Sequence, residues 1–445
     1  MSYATNTVQR HNVPNVNVNV FERRESKVRS YARRFPARFV RASGVHLYDS
    51  TDKEYLDFLQ GCSSLNYGHN HPALKTALAD YIARDGLAHS LDMETDAKEA
   101  FLEEFEATIL HPRGLDYVVQ FPGPTGANAV EAALKIARKA TGRTNVIAFT
   151  NGFHGCSLGA LAVTGNAFHR GGAGVSLGNV TRMPFDQYLG DGIDTVAYIN
   201  KVLDDPSSGI DAPAAFIVET VQGEGGLNAA SFEWLRGIER TARKRGICFI
   251  VDDIQAGVGR TGNFFSFEPA GVRPDIVTLA KSVSGYGLPM ALTLLRRDLD
   301  LWKPGEHNGT FRGNCHAFVT AKAALESFWR DDAFEKSVRR KGQILEDRLE
   351  EVAGRYDGRI ARVKGRSMMR GIDVKSGRVA DSIVRRCFDK GLVIETSGAH
   401  DEVVKCLSPL TIDEHDLEKG LDILSDATHA ALANEVGAVA ERSVA

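Results

Sequence analysis

A lysine closes an apolar run in this chain, where a charge has no ordinary place. Ile276-Val277-Thr278-Leu279-Ala280 leads straight into Lys281 and then Ser282-Val283-Ser284-Gly285. A second apolar run, Cys248-Phe249-Ile250-Val251, ends in Asp252-Asp253-Ile254-Gln255 and passes into Gly257-Val258-Gly259-Arg260-Thr261-Gly262. A lysine in such a place either snorkels to the surface or reacts. A primary amine at a strand end can condense with an aldehyde. A carboxylate at the end of a neighbouring buried strand needs a partner. A protonated ring nitrogen is one, worth about 1.5–3 kcal/mol as a charge-assisted hydrogen bond; a helix cap or a salt bridge is another.

Other residues fit the same chemistry. Gly123-Pro124-Thr125-Gly126-Ala127-Asn128 precedes a helical pattern. Free backbone N–H groups and the helix dipole make such an N-terminus an anion site. Read alone, Thr125 or Asn128 is simply a helix cap. Phe153, within Gly152-Phe153-His154-Gly155, can stack on a planar ring; as a core residue it needs no such role. Gln255 can hydrogen-bond a ring oxygen. Amine, carboxylate, aromatic face and phosphate cradle are together what pyridoxal phosphate requires.

Those residues need strands to end beside one another. Between about residues 75 and 325, apolar strand candidates alternate with helical patterns, as in an α/β sheet. The strands read as Val146–Phe149, Ala214–Val218, Cys248–Val251 and Ile276–Leu279, and residues 128–138 read as a helix. Ligands in open α/β sheets bind outside the carboxyl ends of the strands. Val45–Asp49 and Tyr55–Phe58 suggest a hairpin. From about residue 330 a charged helix (Ala333–Tyr356) and strands near Ser367–Val374 and Gly391–Glu395 suggest a smaller α+β region. The alternating Asn15–Val20 segment is too short and asparagine-rich to read as a strand.

At 445 residues the chain is long for one domain. The expected division is a flexible arm (1–24), the first part of a small domain (25–74), a large cofactor-binding domain (75–328), the rest of the small domain (329–428) and a tail (429–445). A net charge of −3 gives no reason to expect nucleic-acid or anionic-membrane partners. No apolar stretch reaches the about 18 residues of a membrane span, and the N-terminus shows no secretory pattern. Cys62, Cys156, Cys248, Cys315, Cys387 and Cys406 lack metal-knuckle spacing, so reduced thiols, no bound metal and a cytoplasmic enzyme are expected.

The run from Asp252 to Gly262, then Lys281, then Thr310-Phe311-Arg312-Gly313-Asn314, resembles the class III (ω-type) aminotransferases of pyridoxal phosphate fold type I. Gly68-His69-Asn70-His71-Pro72 and Glu219-Thr220-Val221-Gln222-Gly223-Glu224-Gly225-Gly226 carry the same likeness, which covers about residues 25–425. It implies a large domain with a mostly parallel seven-stranded sheet and a smaller α+β domain built from both chain ends. It implies that Lys281 bonds the cofactor and carries the substrate proton, and that Asp252 pairs with the ring nitrogen. Gln255 would contact the ring hydroxyl, Phe153, with His154 beside it, would hold the ring, and Gly126 and Ala127 would supply phosphate N–H groups. Many family members have serine or threonine where this chain has Ala127. Thr310 matches a threonine that reaches the phosphate of a neighbouring subunit, which implies a homodimer or higher homo-oligomer with shared sites.

For the substrate, the resemblance implies Glu219, Glu224 and a cation where this chain has Lys405 rather than arginine. Arg312 is a second candidate for a carboxylate, or a brace for the Thr310 loop; Lys405 as a surface lysine is the plainer alternative. Leu65–Asn70, His89–Met93, Pro304–Asn314 and Glu395–Gly398 are closest to one subgroup of the family. Its members exchange an amino group between L-glutamate and the aldehyde of L-aspartate 4-semialdehyde, for ectoine, and relatives serve siderophores and antibiotics. Gly61-Cys62-Ser63-Ser64 departs from the alanine-rich segment expected there, and Ser64 is expected at the substrate mouth. Mutases, racemases and decarboxylases share the fold, so the fold alone does not set the reaction.

Overall fold

The computed structural model describes residues 19–356 and 362–442. Residues 19–38 belong to a unit of their own. It holds two short helices, Val20–Arg24, capped by the Asn19 side chain, and Tyr31–Arg34. Most of the Asn15–Val20 segment lies outside the described residues.

The main unit is organised by a central sheet of seven strands. In chain order these are β1 (Tyr117–Gln120), β2 (Val146–Phe149), β3 (Val180–Met183), β4 (Ala215–Val218), β5 (Cys248–Asp252), β6 (Ile276–Leu279) and β7 (Leu292–Arg296). Their spatial order is β1-β7-β6-β5-β4-β2-β3. Only β7 runs against its neighbours β6 and β1; the other pairings are parallel. Every residue of β2, β4, β5 and β6 is buried. That explains their unbroken apolar runs, because helices cover both faces. The helix Gly126–Thr141 packs Val130, Ala133 and Ala137 against Val146, Ala148, Ile217 and Ile250. On the other face Trp234, Leu235 and Ile238 of the helix Phe232–Arg245 meet Ile147, Phe149, Phe216 and Phe249. In the β5–β6 register Asp252 stands beside Thr278, three residues before Lys281.

Two smaller sheets complete the unit. Phe39–Ser43, His46–Asp49 and Glu54–Asp57 form a meander, and Leu392–Val393 from the far end of the chain adds parallel to Glu54–Asp57. The second sheet is antiparallel, in the order Arg362–Arg366, Met369–Asp373, Val403–Cys406, Glu395–Ser397. Both chain ends therefore build the smaller α+β part, with the long helix Ala333–Gly354 beside it. No helix among the described residues is long and apolar enough to cross a membrane.

One turn departs from ordinary geometry. Gln60, Gly61, Cys62 and Ser63 all have positive φ, at 47°, 54°, 56° and 69°. Three are not glycine, and each such residue costs about 1–2 kcal/mol. Hydrogen bonds offset that strain. Asp57 accepts from the Leu59 and Gln60 N–H groups, each at 2.9 Å. Ser282 Oγ donates to the Ser63 carbonyl at 2.6 Å. Arg260, fully buried, donates from Nε to Ser63 Oγ at 3.0 Å, from Nη2 to Asn66 Oδ1 at 2.5 Å and from Nη1 to the Ser408 carbonyl at 2.6 Å. No carboxylate pairs with it among the described residues, and burial pushes its pKa down to about 9, still a cation at neutral pH. Replacing Arg260 by methionine would strand the Ser408 and Met368 carbonyls that it satisfies. Arg260→Met should lower stability by about 2–4 kcal/mol, read from urea unfolding.

Candidate active site

The carboxyl ends of β2, β4, β5 and β6 open into one cavity of about 330 Å³. Ser64, Gly126, Ala127, Phe153, His154, Glu219, Glu224, Asp252, Gln255 and Lys281 all line it. These residues come from six separate segments, and the parallel sheet brings four of them together by ending four strands at one level.

Asp252 closes β5 and is 3% exposed. Oδ2 is 2.6 Å from His154 Nδ1, and Oδ1 accepts from Thr278 Oγ1 and the Ile254 N–H, both at 3.2 Å. The carboxylate is thus fixed in the cavity wall. Burial alone would lower the His154 pKa, but the hydrogen bond and charge of Asp252, with the charge of Glu219, raise it overall. Glu219 accepts from the Phe153 N–H at 2.8 Å and the Gly223 N–H at 3.0 Å. Burial, opposed by His154 and reinforced by Asp252, pushes its pKa up to about 7. Lys281 begins a short 3-10 turn with φ of 52°, a left-handed conformation next to β6. Its amine has no hydrogen-bond or ion-pair partner among the described residues.

Thr125 and Asn128 form a reciprocal capping box at the start of the helix Gly126–Thr141. The cap takes the Asn128 N–H and leaves those of Gly126 and Ala127 without a partner inside the helix. The helix end packs tightly here: a Cβ at Gly126 would stand 2.9 Å from Ile254 Cδ1. Phe153 is half-buried and meets His169 edge-on at 5.3 Å.

The far end of the cavity is charged. Glu224 Oε1 is 3.0 Å from Lys405 Nζ and accepts from Gln255 Nε2 at 3.2 Å. Glu224 is partly open to the cavity, whereas Lys405 behind it is fully buried. Burial would raise the Glu224 pKa; Lys405 and Lys281 instead hold it down at about 2. Lys405 is pushed up by Glu224 and Glu395, against the effect of its burial. Two other positions lie outside this cavity. Thr310, expected at a neighbouring subunit's phosphate, is exposed on a turn. Arg312, also outside it, pairs with Asp92 at 2.9 Å and donates to the Gly309 carbonyl at 2.9 Å. Sequence reasoning missed Thr278, Arg260 and Glu395. Glu395 had a readable signal, an acidic residue in an otherwise apolar strand pattern.

Pyridoxal phosphate fits this donor set. A fixed carboxylate, a free amine, two unpaired helix N–H groups and an aromatic edge surround one space. Gln255 Oε1 is buried and unpartnered among the described residues, as a contact to a ring hydroxyl would need. No cluster able to hold a metal ion occurs among the described residues. A parallel sheet ending in this constellation defines a fold type I aminotransferase. The family model for class-III aminotransferases matches residues 28–428, and the chain belongs to that family. The diaminobutyrate–2-oxoglutarate transaminase of Halomonas elongata is 56% identical over 415 residues, covering 93% of this chain and 99% of that one. The enzyme of the same name from Halalkalibacterium halodurans is 54% identical over 413 residues, covering 93% and 96%. Among solved structures, an ornithine aminotransferase from Toxoplasma gondii, with pyridoxal phosphate at partial occupancy in its site, superposes with a TM-score of 0.80. It is 25% identical, over 93% of this chain and 94% of that one.

Removing Lys405 alone would leave the buried Glu395 carboxylate and the partly open Glu224 carboxylate uncompensated. Lys405→Met should therefore cost about 3–5 kcal/mol, measured as the shift of the urea unfolding curve at pH 7.5. Glu219 gives a pH signature. Its pKa is higher in the folded than in the unfolded state, so the folded state binds its proton more tightly. Stability from this group is present below the ordinary carboxylate range and is lost as pH rises through about 7. Between pH 5 and pH 8 the melting midpoint of Glu219→Gln should rise relative to that of the unaltered protein.

Proposed function

We propose that the chain is a diaminobutyrate–2-oxoglutarate transaminase working with pyridoxal phosphate. L-Glutamate gives up its amino group and leaves as 2-oxoglutarate. The aldehyde of L-aspartate 4-semialdehyde takes the group up as L-2,4-diaminobutyrate, and the reaction is reversible. The observation that carries this reading is the two-ended cavity. Lys281 and Asp252 face one end, and Glu224 covers the Lys405 cation at the other. The names of relatives more than half identical over nearly their whole length support the same reading.

When bound, pyridoxal phosphate accepts the amino group from one substrate, passes it to the other and acts as the electron sink at the reacting carbon. Gly126 and Ala127 would hold its phosphate, Asp252 its ring nitrogen, Gln255 its ring hydroxyl, and Phe153 its face. Lys281 would move the proton at the substrate carbon. His154 keeps the Asp252 carboxylate oriented. Glu219 would keep the Phe153 backbone in place at the ring face through its hydrogen bond. Ser64 borders the substrate.

The two substrates differ at the end away from the reacting carbon. Glutamate offers a carboxylate there, whereas the semialdehyde offers an ammonium and a carboxylate together. A Glu224 side chain that turns aside would uncover Lys405 for the glutamate carboxylate, and in place it would meet the ammonium. Lysine is a compact point charge and does not fork a carboxylate as arginine does, which suits a cation used by one of two partners. Arg312, tied to Asp92 and Gly309, is better suited to bracing the Thr310 turn.

A homodimer belongs to the same proposal. Phe311 is exposed beside Thr310, and Leu87, Leu91 and Met93 are exposed on the segment that pairs with Gly313. A second copy covering them would bring Thr310 to a neighbouring phosphate. The six free cysteines suit a reducing compartment such as the cytoplasm, and ectoine synthesis is the proposed destination of the product.

The decisive experiment is a donor and acceptor screen with the pure protein. Diaminobutyrate with 2-oxoglutarate should outpace ornithine, 4-aminobutyrate and N-acetylated diamines. Equal rates would sink the substrate assignment. The protein should show visible absorbance from bound cofactor that borohydride abolishes, and Lys281→Ala should lose both that signal and at least 10³-fold of the activity.

A further inference from the structure

Glu395 lies just outside the cavity, and the chemistry described so far gives it no work. In the register of the second small sheet it sits directly opposite Lys405, so the two side chains share a face. Its Oε1 is 2.9 Å from Lys405 Nζ, nearly matching the 3.0 Å from Glu224 Oε1. One ammonium is thus shared by two carboxylates. The exposures differ: 0% for Lys405, 2% for Glu395 and 32% for Glu224. Lys405 and Glu395 are walled in, and only Glu224 reaches the cavity that also holds Lys281.

Lys281, whose charge also reaches Glu224, stands at the reacting end and would be engaged by the cofactor; at this end the two carboxylates against the one Lys405 ammonium leave a local surplus of one negative charge. That surplus attracts an ammonium on an entering molecule and repels a carboxylate, and the low-dielectric surroundings screen it weakly. We infer that Glu395 sets substrate preference: its buried charge holds the Lys405 end of the cavity net negative and favours amino acids with a second ammonium over dicarboxylates. Glu395 touches neither substrate nor cofactor; it is a positioning residue that acts through Lys405 and through its own field. The inference rests on the proposed transaminase reading and sharpens it. A transaminase that serves both a dicarboxylate and a diamino acid needs the two to bind comparably. With Lys405 and Glu224 alone, a neutral pair, the dicarboxylate would gain the advantage.

The test is Glu395→Gln, which removes the charge at nearly constant shape, beside Glu395→Asp, which keeps it. With Glu395→Gln, the KM for diaminobutyrate divided by that for glutamate should rise roughly tenfold, and Glu395→Asp should stay near the unaltered ratio. A general structural defect would move both KM values together and change kcat, and that result would overturn the inference. Calorimetry gives a readout free of turnover. Glu395→Gln should bind glutarate several-fold more tightly and 1,3-diaminopropane several-fold more weakly. The unaltered protein should bind 1,3-diaminopropane several-fold more tightly than propylamine; equal binding would overturn the inference even if Glu395→Gln does not fold. If the unaltered protein turns over no diaminobutyrate, the proposed activity fails, while the calorimetric comparison still decides the charge inference.

Discussion

A guanidinium with no counter-ion among the described residues holds one wall of the cavity together. Arg260 gives its donors to neutral oxygens on residues far apart in sequence: Ser63, Asn66, Met368 and Ser408. A lone buried charge is costly, so such an arrangement persists only where its hydrogen bonds are well satisfied. Here they set the left-handed turn from Gln60 to Ser63, and with it the position of Ser64 in the cavity wall. The planar fork of arginine suits this task; a lysine would supply one point of attachment where several are needed.

Electrostatics divides the cavity into two ends with different work. Around Asp252 the groups are acids and a histidine, held by hydrogen bonds from Thr278, Phe153 and Gly223. Proton positions there are governed by burial, which shifts Glu219 towards neutral pH. At the Lys405 end, pairing wins over burial and keeps Glu224 ionised. The same type of side chain is therefore pushed in opposite directions within one cavity. The difference lies in whether a cation stands within hydrogen-bond reach.

Much of this organisation was legible in the residues. The runs at 146–149, 248–251 and 276–279 read as buried strands because both faces of β2, β5 and β6 are covered, so apolar residues are continuous. The chemistry following each run pointed to a shared edge because parallel strands end together. β1, β3 and β7 were not legible. Tyr117–Gln120 and Val180–Met183 are only half-buried sheet edges, and Leu292–Arg296 follows a glycine-rich stretch that reads as loop. Arg260 was visible within a motif, but its partners were not, since Ser408 lies 148 residues away. Glu395 stood out as an acid after Leu392-Val393-Ile394, but its partner was not legible, because that depends on a cross-strand register that pairs it with Lys405. The Thr125–Asn128 capping box leaves the Gly126 and Ala127 N–H groups without a partner inside the helix, so one helix end has room for both a cap and an anion.

The Arg260 clamp also orders events during synthesis. A ribosome releases residues 60–66 early, yet the groups that hold their turn arrive at 260, 282, 368 and 408. Left-handed backbone with no support relaxes, so this wall of the cavity cannot take its final shape until most of the chain has emerged. The central strands, buried on both faces, also wait for distant partners, since parallel pairing must first close long loops. This protein should therefore assemble that cavity wall late, with apolar strands exposed in the interim, and depend on chaperones more than a protein of local contacts would.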